Sequence, residues 1–273
     1  MGFNVCVAGA TGNVGRTMIS ILEERNFPVD RIRLLASARS KGKRLSFRGA
    51  EIEVEELTPE SCEKGEIVLS SPGGSVSKWY APSAAKAGAL VIDNTSAFRM
   101  FDNVPLVVPE VNPEEAFKHE GIIANPNCST IQMVVVLKPL HDAARVKRVV
   151  VSTYQAVSGA GIAAITELRE QTRALIEGKS YERTVFPHQI AFNCIPQIPQ
   201  KNAFGANFYS DEEMKMVNET KKIMKDQTIR VSATTVRVPV FTGHSESVNV
   251  ETARKLTRDE AIAILRKAPG VEV

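Results

Sequence analysis

The sequence predicts two domains of different class: an N-terminal α/β domain on a doubly wound parallel sheet, then an α+β domain. Three observations carry this. The length, 273 residues, is near twice the roughly 150 residues of an average domain. In the first half, short β-branched runs alternate with helical stretches, the pattern of parallel strands joined by crossover helices. In the second half the strand-like runs lengthen and the helices segregate, as when helices pack on one face of a sheet.

The elements follow in order. FNVCVA (3–8) reads as a strand and Val14–Glu24 as a helix. RIRLLAS (31–37), EIVLSS (66–71) and LVIDN (90–94) read as strands, with Val76–Ala87 helical between the last two. The domain boundary is expected near NPNCST (125–130), giving domains 1–127 and 128–273. Beyond it, VKRVVVSTYQAVS (146–158) is strand-like and SGAGIAAITELREQTRALIEG (158–178) reads as one long helix. IRVSATTVRVPV and HSESVNVET are strand candidates separated by the turn Phe241-Thr242-Gly243. Arg258–Lys267 reads as a helix, Pro269-Gly270 as a turn and VEV (271–273) as the start of a strand. No repeat, low-complexity tract or flexible linker interrupts the chain.

Composition narrows the function classes. Apolar residues make up 43% of the chain, enough for a sizeable core, and no run approaches the roughly 18 apolar residues of a membrane span. The first residues run straight into a strand pattern, so a secretory signal is not expected. A net charge of +3, from 34 basic and 31 acidic residues, is too balanced to favour nucleic acid or an anionic membrane. The four cysteines, Cys6, Cys62, Cys128 and Cys194, show no CxxC and no close spacing, so neither a metal site nor a disulfide scaffold is expected. A reducing cytoplasm and free thiols follow. Packing is the ordinary role of such thiols, and it is the reading for Cys6, Cys62 and Cys194.

After the first strand comes GATGNVG, with glycines at positions 9, 12 and 15. Strand before and helix after make this a variant of the Rossmann dinucleotide fingerprint, in which bare backbone amides approach a pyrophosphate at a helix start. Gly9, Thr11, Gly12, Asn13, Val14 and Gly15 are the candidate residues. An NAD site places Asp or Glu at the end of the second strand, about 20 residues on. This chain reads LLASARSKGKR there, without an acid. Ser37, Arg39 and Ser40 can instead donate to a 2′-phosphate, so NADP is the expected cofactor. A second cluster, SSPGGSVS (70–77), follows the EIVL strand. Gly73 and Gly74 either admit the nicotinamide ribose or form a plain turn.

In NPNCST, Asn127 is a favourable N-cap and Cys128 falls in the first turn of a helix. There the dipole and free amides favour an anion and lower a thiol pKa from about 8.5. A thiolate so placed is both nucleophile and leaving group, as thioester chemistry requires. Spacing alone leaves packing open. A thiolate enzyme wants a base among His119, His141, His188 and His244. His244, opening a strand beside Gly243, is the better candidate, with a loop histidine of no catalytic role as the alternative.

Together GATGNVG, SARS, DNTSAFR, VPEVNP, NPNCST, TYQAVSGAG, ETKKIM and VRVPVFTGHSES resemble the aspartate-β-semialdehyde dehydrogenase family, in order and over nearly the whole chain. The resemblance implies a Rossmann NADP domain followed by an α+β catalytic and dimerisation domain. It implies a homodimer or homotetramer in the aspartate pathway to lysine, threonine, methionine and diaminopimelate. It implies Cys128 as nucleophile, His244 as acid and base, and Gln155 as the group orienting substrate. Arg237 matches the arginine on the substrate α-carboxylate and Glu219 the carboxylate facing its ammonium. Lys222, Arg99 and Asn127 match the phosphate subsite. The implied reaction is NADPH-dependent reduction of aspartyl phosphate to aspartate semialdehyde with release of phosphate. Family members continue past the position of Val273 into a strand and a helix that return to the cofactor domain. Three alternatives accompany this reading: N-acetyl-γ-glutamyl-phosphate reduction, a shortened non-catalytic NADP-binding relative, and a cofactor-free Cys-His hydrolase. The last leaves GATGNVG without a purpose.

Overall fold

The structure, a computed structural model, describes residues 2–273. It divides into two compact units: one holds the residues up to Val107 with Asn112–Pro126, the other Val108–Val111 with Asn127–Val273.

The first unit carries strands β1 (Phe3–Ala8), β2 (Val29–Ala36), β3 (Arg44–Phe47), β4 (Ala50–Glu56), β5 (Glu66–Ser70), β6 (Leu90–Asp93) and β7 (Ile122–Ala124). They form one sheet in the order β3-β4-β2-β1-β5-β6-β7. All neighbours are parallel except β3 and β4. Helices α1 (Asn13–Glu24) and α2 (Gly74–Ala87) make the crossovers after β1 and β5. The chain turns in opposite directions on leaving β1 and β5, so the switch point lies between these two strands, where ligands bind in open α/β sheets.

The two faces of this sheet differ in kind. On one, Val5, Val7, Leu34, Ala36 and Val54 pack with Ile19 and Leu22 of α1 and with Phe47, an apolar core of ordinary composition. On the other, cross-strand neighbours such as Cys6 and Arg33, or Ser70 and Asp93, are polar and buried. There Arg33 donates to Glu55 at 2.6 Å and to Glu66 at 3.2 Å.

The second unit carries helices α3 (Cys128–Ala144), α4 (Ile162–Ile176), α5 (Asp211–Met224) and α6 (Arg258–Leu265) and strands β8 (Val146–Gln155), β9 (Arg230–Arg237) and β10 (Ser245–Thr252). The sheet order is β10-β8-β9. Parallel pairing sets Gln155 beside Arg237, and antiparallel pairing sets Tyr154 beside Ser245. The register therefore gathers Gln155, Arg237 and the residue before β10, His244, at one end of the sheet.

Three expectations change. The strand pair β3 and β4 was not legible; its turn uses Arg48 at φ +50° and Gly49 at φ +77°, the two left-handed residues of a tight hairpin. Residues 158–178 are not one helix. Val157–Ala160 form a single 3₁₀ turn, because Val157 and Ser158 donate their amides to Val240 and Phe241 instead of entering a helix. Gly161 at φ +92° then redirects the chain into α4. Residues 271–273 form no strand. The helix α4 then pins a long loop: buried Glu167 accepts from the amides of Thr184, Val185 and Phe186, and Gln171 from those of Ile190 and Ala191.

Candidate active site

In the first unit, a cleft of about 550 Å³ opens at the carboxyl ends of the strands. Gly9, Thr11, Gly12, Ser37, Arg39, Glu56, Pro72, Val76 and Trp79 are among its walls. The glycines are required by space. A Cβ on Gly9, at φ +84°, would lie 2.7 Å from the carbonyl oxygen of Ser71, and one on Gly15 would lie 2.3 Å from that of Gly9. The second close approach seats α1 against β1, so the helix begins directly after the cleft residue Gly12, and its first-turn amides have no intrahelical acceptor. Gly73, at φ +97°, caps α2 beside it. A cradle of bare backbone at a helix start fits the pyrophosphate of a nicotinamide dinucleotide.

Not every predicted residue lines this cleft. Ser40 is buried and accepts from Thr11 Oγ1 at 3.4 Å. An acid is present after all: Glu56, at the end of β4, where the second strand offered none. Its carboxylate sits 3.6 Å from Lys41 Nζ. Only the strand order could reveal it, because β4 lies beside β2. Arg99, also in this unit, is buried, and its guanidinium donates to the carbonyls of Asn94 (3.0 Å) and Asn125 (2.9 Å).

In the second unit, Asn127 caps α3. Its Oδ1 accepts from the amides of Ser129 (3.0 Å) and Thr130 (3.2 Å), and its Nδ2 donates to Glu212 at 2.8 Å. Its own amide donates to Glu219 at 2.6 Å. These bonds commit the side chain of Asn127 and fix the helix start, leaving the thiol of Cys128 exposed at the first position. Further along α3, Gln132, Val136 and Leu140 share a cleft of about 470 Å³ with His244, Glu246, Val248 and Val250. The helical spacing of four and the strand spacing of two put Cys128, one turn before Gln132, at the level of His244.

Two hubs hold the polar groups at this end of the sheet. The first is the backbone of Ala156, buried just after β8. Its amide donates to His244 Nδ1 at 3.0 Å, and its carbonyl accepts from Arg237 Nη1 at 2.7 Å. A nitrogen that accepts from an amide carries no proton, so neutral His244 bears its hydrogen on Nε2. Burial and the Arg237 cation keep the imidazole below its ordinary pKa, against the pull of Glu212. Burial also lowers Arg237, with Glu212 and Cys128 opposing. Gly159 lies against both side chains: a Cβ there would be 3.0 Å from Arg237 Nη1 and 3.6 Å from His244 Nε2.

The second hub is Glu212, at the start of α5. One oxygen accepts from Asn127 and from Gln155 Nε2 (3.0 Å), the other from Lys215 Nζ (3.0 Å). Burial raises its pKa, but Lys215 and the donors from Gln155 and Asn127 outweigh that and hold the carboxyl below its ordinary value. It stays an anion. The sequence reading took Glu219 and Lys222 and did not single out Glu212 and Lys215. The two pairs share one spacing and lie seven residues apart, two turns of α5 on one face. Glu219 is buried and gives an oxygen to the Asn127 amide; Glu212 is the carboxylate bonded to Gln155.

Two family models match: "Semialdehyde dehydrogenase, NAD binding domain" over residues 4–119 and "Semialdehyde dehydrogenase, dimerisation domain" over residues 137–273. Aspartate-semialdehyde dehydrogenase of Aquifex aeolicus is 58% identical, over 100% of this chain and 81% of its own length. The Bacillus subtilis enzyme of the same name is 53% identical, over 99% and 80%. Among solved structures, Vibrio cholerae aspartate semialdehyde dehydrogenase II complexed with ASA superposes with a TM-score of 0.94 at 50% identity, covering 100% of this chain and 81% of the other. No helix among the described residues is long and apolar enough to cross a membrane. The chain belongs to the semialdehyde dehydrogenase family, within its aspartate-semialdehyde dehydrogenases.

Proposed function

We propose that this chain catalyses the NADP-dependent reduction of L-aspartyl-4-phosphate to L-aspartate-4-semialdehyde with release of phosphate, through a thioester on Cys128. The observation that carries the reading is the gathering of Cys128, His244, Arg237, Gln155 and Glu212 at one end of the second unit's sheet.

In this reading Cys128 Sγ attacks the acyl carbonyl and phosphate leaves with the electron pair of the broken C–O bond. The amides of Ser129 and Thr130 are taken by Asn127 Oδ1 and hold the helix start in place. A nicotinamide dinucleotide held at Gly9, Thr11 and Gly12 would supply the hydride that reduces the thioester. The C–S bond of the resulting thiohemiacetal then breaks, and His244 manages its hydroxyl proton as the aldehyde leaves and the thiolate returns. A neutral imidazole suits this step, since it can accept a proton near neutral pH. Arg237 binds the substrate α-carboxylate, for which a guanidinium fork is the matching shape. Gln155 orients the acyl group.

The ammonium of the substrate is assigned to Glu212 instead of Glu219, because Glu212 stays ionised and bonds Gln155 directly. Lys215, held by Glu212, is assigned the phosphate-binding role in place of Lys222. Asn127 serves by fixing the helix start. An anion at Glu212 favours a free ammonium over an acetylated amine, which weighs against N-acetyl-γ-glutamyl-phosphate reduction. NADP is preferred to NAD because Ser37 and Arg39 line the cleft and Glu56 faces Lys41. The working form proposed is a homodimer or homotetramer in a reducing cytoplasm, serving lysine, threonine, methionine and diaminopimelate synthesis.

The test is NADPH formation from aspartate semialdehyde, phosphate and NADP. Turnover by the intact chain, lost in Cys128→Ala, is the expected result. Preference for N-acetylglutamate semialdehyde, preference for NAD, or nucleotide binding without turnover each overturns part of the reading.

A further inference from the structure

The polar face of the first unit's sheet brings three donor atoms together: Cys6 Sγ, Cys62 Sγ and a carboxylate oxygen of Glu66. All lie within 4.8 Å of one another and all three residues are buried. Cys6 is on β1, Glu66 opens β5, and Cys62 points inward from the loop between β4 and β5. Fifty-six positions separate the two cysteines, so no spacing motif announces the cluster. We propose that Cys6, Cys62 and Glu66 form a site for one thiophilic divalent cation of the zinc or cadmium type, apart from the nucleotide cleft.

Distance, charge and support favour this. Bonds of about 2.3 Å to sulfur and about 2.1 Å to oxygen set donors around one tetrahedral ion roughly 3.6–3.8 Å apart, so donor atoms that lie within 4.8 Å of one another need to close by no more than about 1 Å. Two thiolates and the Glu66 carboxylate with a divalent ion leave one negative charge, which Arg33 offsets in part while it also pairs with the half-exposed Glu55 at 2.6 Å. A monovalent ion would leave a further buried negative charge, which is costly. Arg33 donates to Glu66 Oε1 at 3.2 Å, and the Glu63 amide donates to Oε2 at 2.7 Å. These bonds orient the carboxylate as outer partners of metal ligands do, and spare lone pairs remain on both oxygens.

The loop is pinned without an ion. Arg33 donates to the Ser61 carbonyl at 2.7 Å, and Ser61 Oγ accepts from the Thr58 amide and donates to the Glu56 carbonyl. The hydroxyl of buried Tyr80 makes no hydrogen bond of ordinary geometry, with Ser70 its nearest polar partner and Cys6, Cys62 and Asp93 around it. Binding makes two metal–sulfur bonds and one metal–oxygen bond, releases two thiol protons to solvent and changes no oxidation state, so affinity rises with pH.

The experiment uses the full chain carrying Cys128→Ser and Cys194→Ser, which leaves Cys6 and Cys62 as its only thiols. After chelator treatment, Cd²⁺ is titrated in, and thiolate-to-metal absorption, metal retained on gel filtration and the thermal midpoint are followed. The expected result is one equivalent retained, displaced by Zn²⁺, with a midpoint that climbs with free metal. Adding Cys62→Ala should weaken binding about a hundredfold. If that variant does not fold, the parent is alkylated with and without Cd²⁺, and metal should slow modification of both thiols at least about tenfold. No retained metal in folded protein, unchanged binding in folded Cys62→Ala, or equal alkylation rates overturns the proposal. So does a chain whose two thiols are already joined, seen as a mass lower by two hydrogens.

Discussion

The two units build their ligand sites from different materials. The first presents backbone: amides at helix starts and glycines where Cβ atoms would collide with carbonyl oxygens. The second presents side chains: a thiol, an imidazole, a guanidinium and a carboxylate, tied to two hubs. A backbone site can be read from a short motif because its requirement, no side chain at a few positions, is local. A side-chain site draws residues from positions 127 to 244, and only strand register and helix phase say which of them meet.

That contrast predicts different failures. Removing the sulfur is the largest effect: Cys128→Ala should lower kcat by about 10⁴-fold or more. Its thermal midpoint should stay within a degree or two, because the thiol is exposed. A steady-state assay beside a melting curve checks both; a large loss of stability would make Cys128 a structural residue. In the first unit the opposite coupling holds. Gly15→Ala places a Cβ 2.3 Å from the Gly9 carbonyl, so α1 must move away from β1. We expect a loss of about 2–4 kcal/mol in stability together with loss of nucleotide binding, measured by denaturant unfolding and by NADP titration. Binding without destabilisation would show that the glycine is not a steric requirement.

The rival carboxylates on α5 sharpen the comparison further. Glu212→Gln should lower kcat/KM by about 10²-fold, since a charge-assisted contact worth about 2–3 kcal/mol is lost. Glu219→Gln should act mainly on stability, through the Asn127 amide it accepts. If Glu219→Gln proves the more damaging to KM at unchanged stability, the assignment reverses.

Much of this was legible beforehand. Alternation of strand and helix exposed the parallel sheet, and GATGNVG and NPNCST marked the tight glycine turn before α1 and the exposed thiol at the start of α3. What stayed hidden has physical reasons. Glu212 and Glu219 recur on one helix face at the same distance from a lysine, so spacing cannot separate them. Glu56 lines the nucleotide cleft only because β4 pairs with β2. The 3₁₀ turn after β8 depends on carbonyls at positions 240 and 241, some eighty residues away.

The smallest predicted effect concerns Glu246, two residues past His244 and in the cleft behind it. Burial pushes its carboxyl up to about 7 from 4.5, with Gln132 pulling weakly the other way, and Oε1 has no hydrogen-bond partner. Charged groups at that end of the cleft are few; His244 is the titratable neighbour on its own strand, and α3 presents Gln132, Val136 and Leu140. Between pH 4.5 and about 7 the folded chain holds a proton that the unfolded chain has lost. The unfolded state then binds fewer protons, so stability falls as pH rises. The neutral acid's contribution is complete below the unfolded value and gone above the folded one. The side chain is partly open to solvent, which reduces the cost to about 1–2 kcal/mol. Glu246→Gln has no proton to lose. It should therefore match the parent near pH 4 and exceed it by that amount near pH 8 in denaturant unfolding, and a difference independent of pH would place the strain elsewhere than in ionisation.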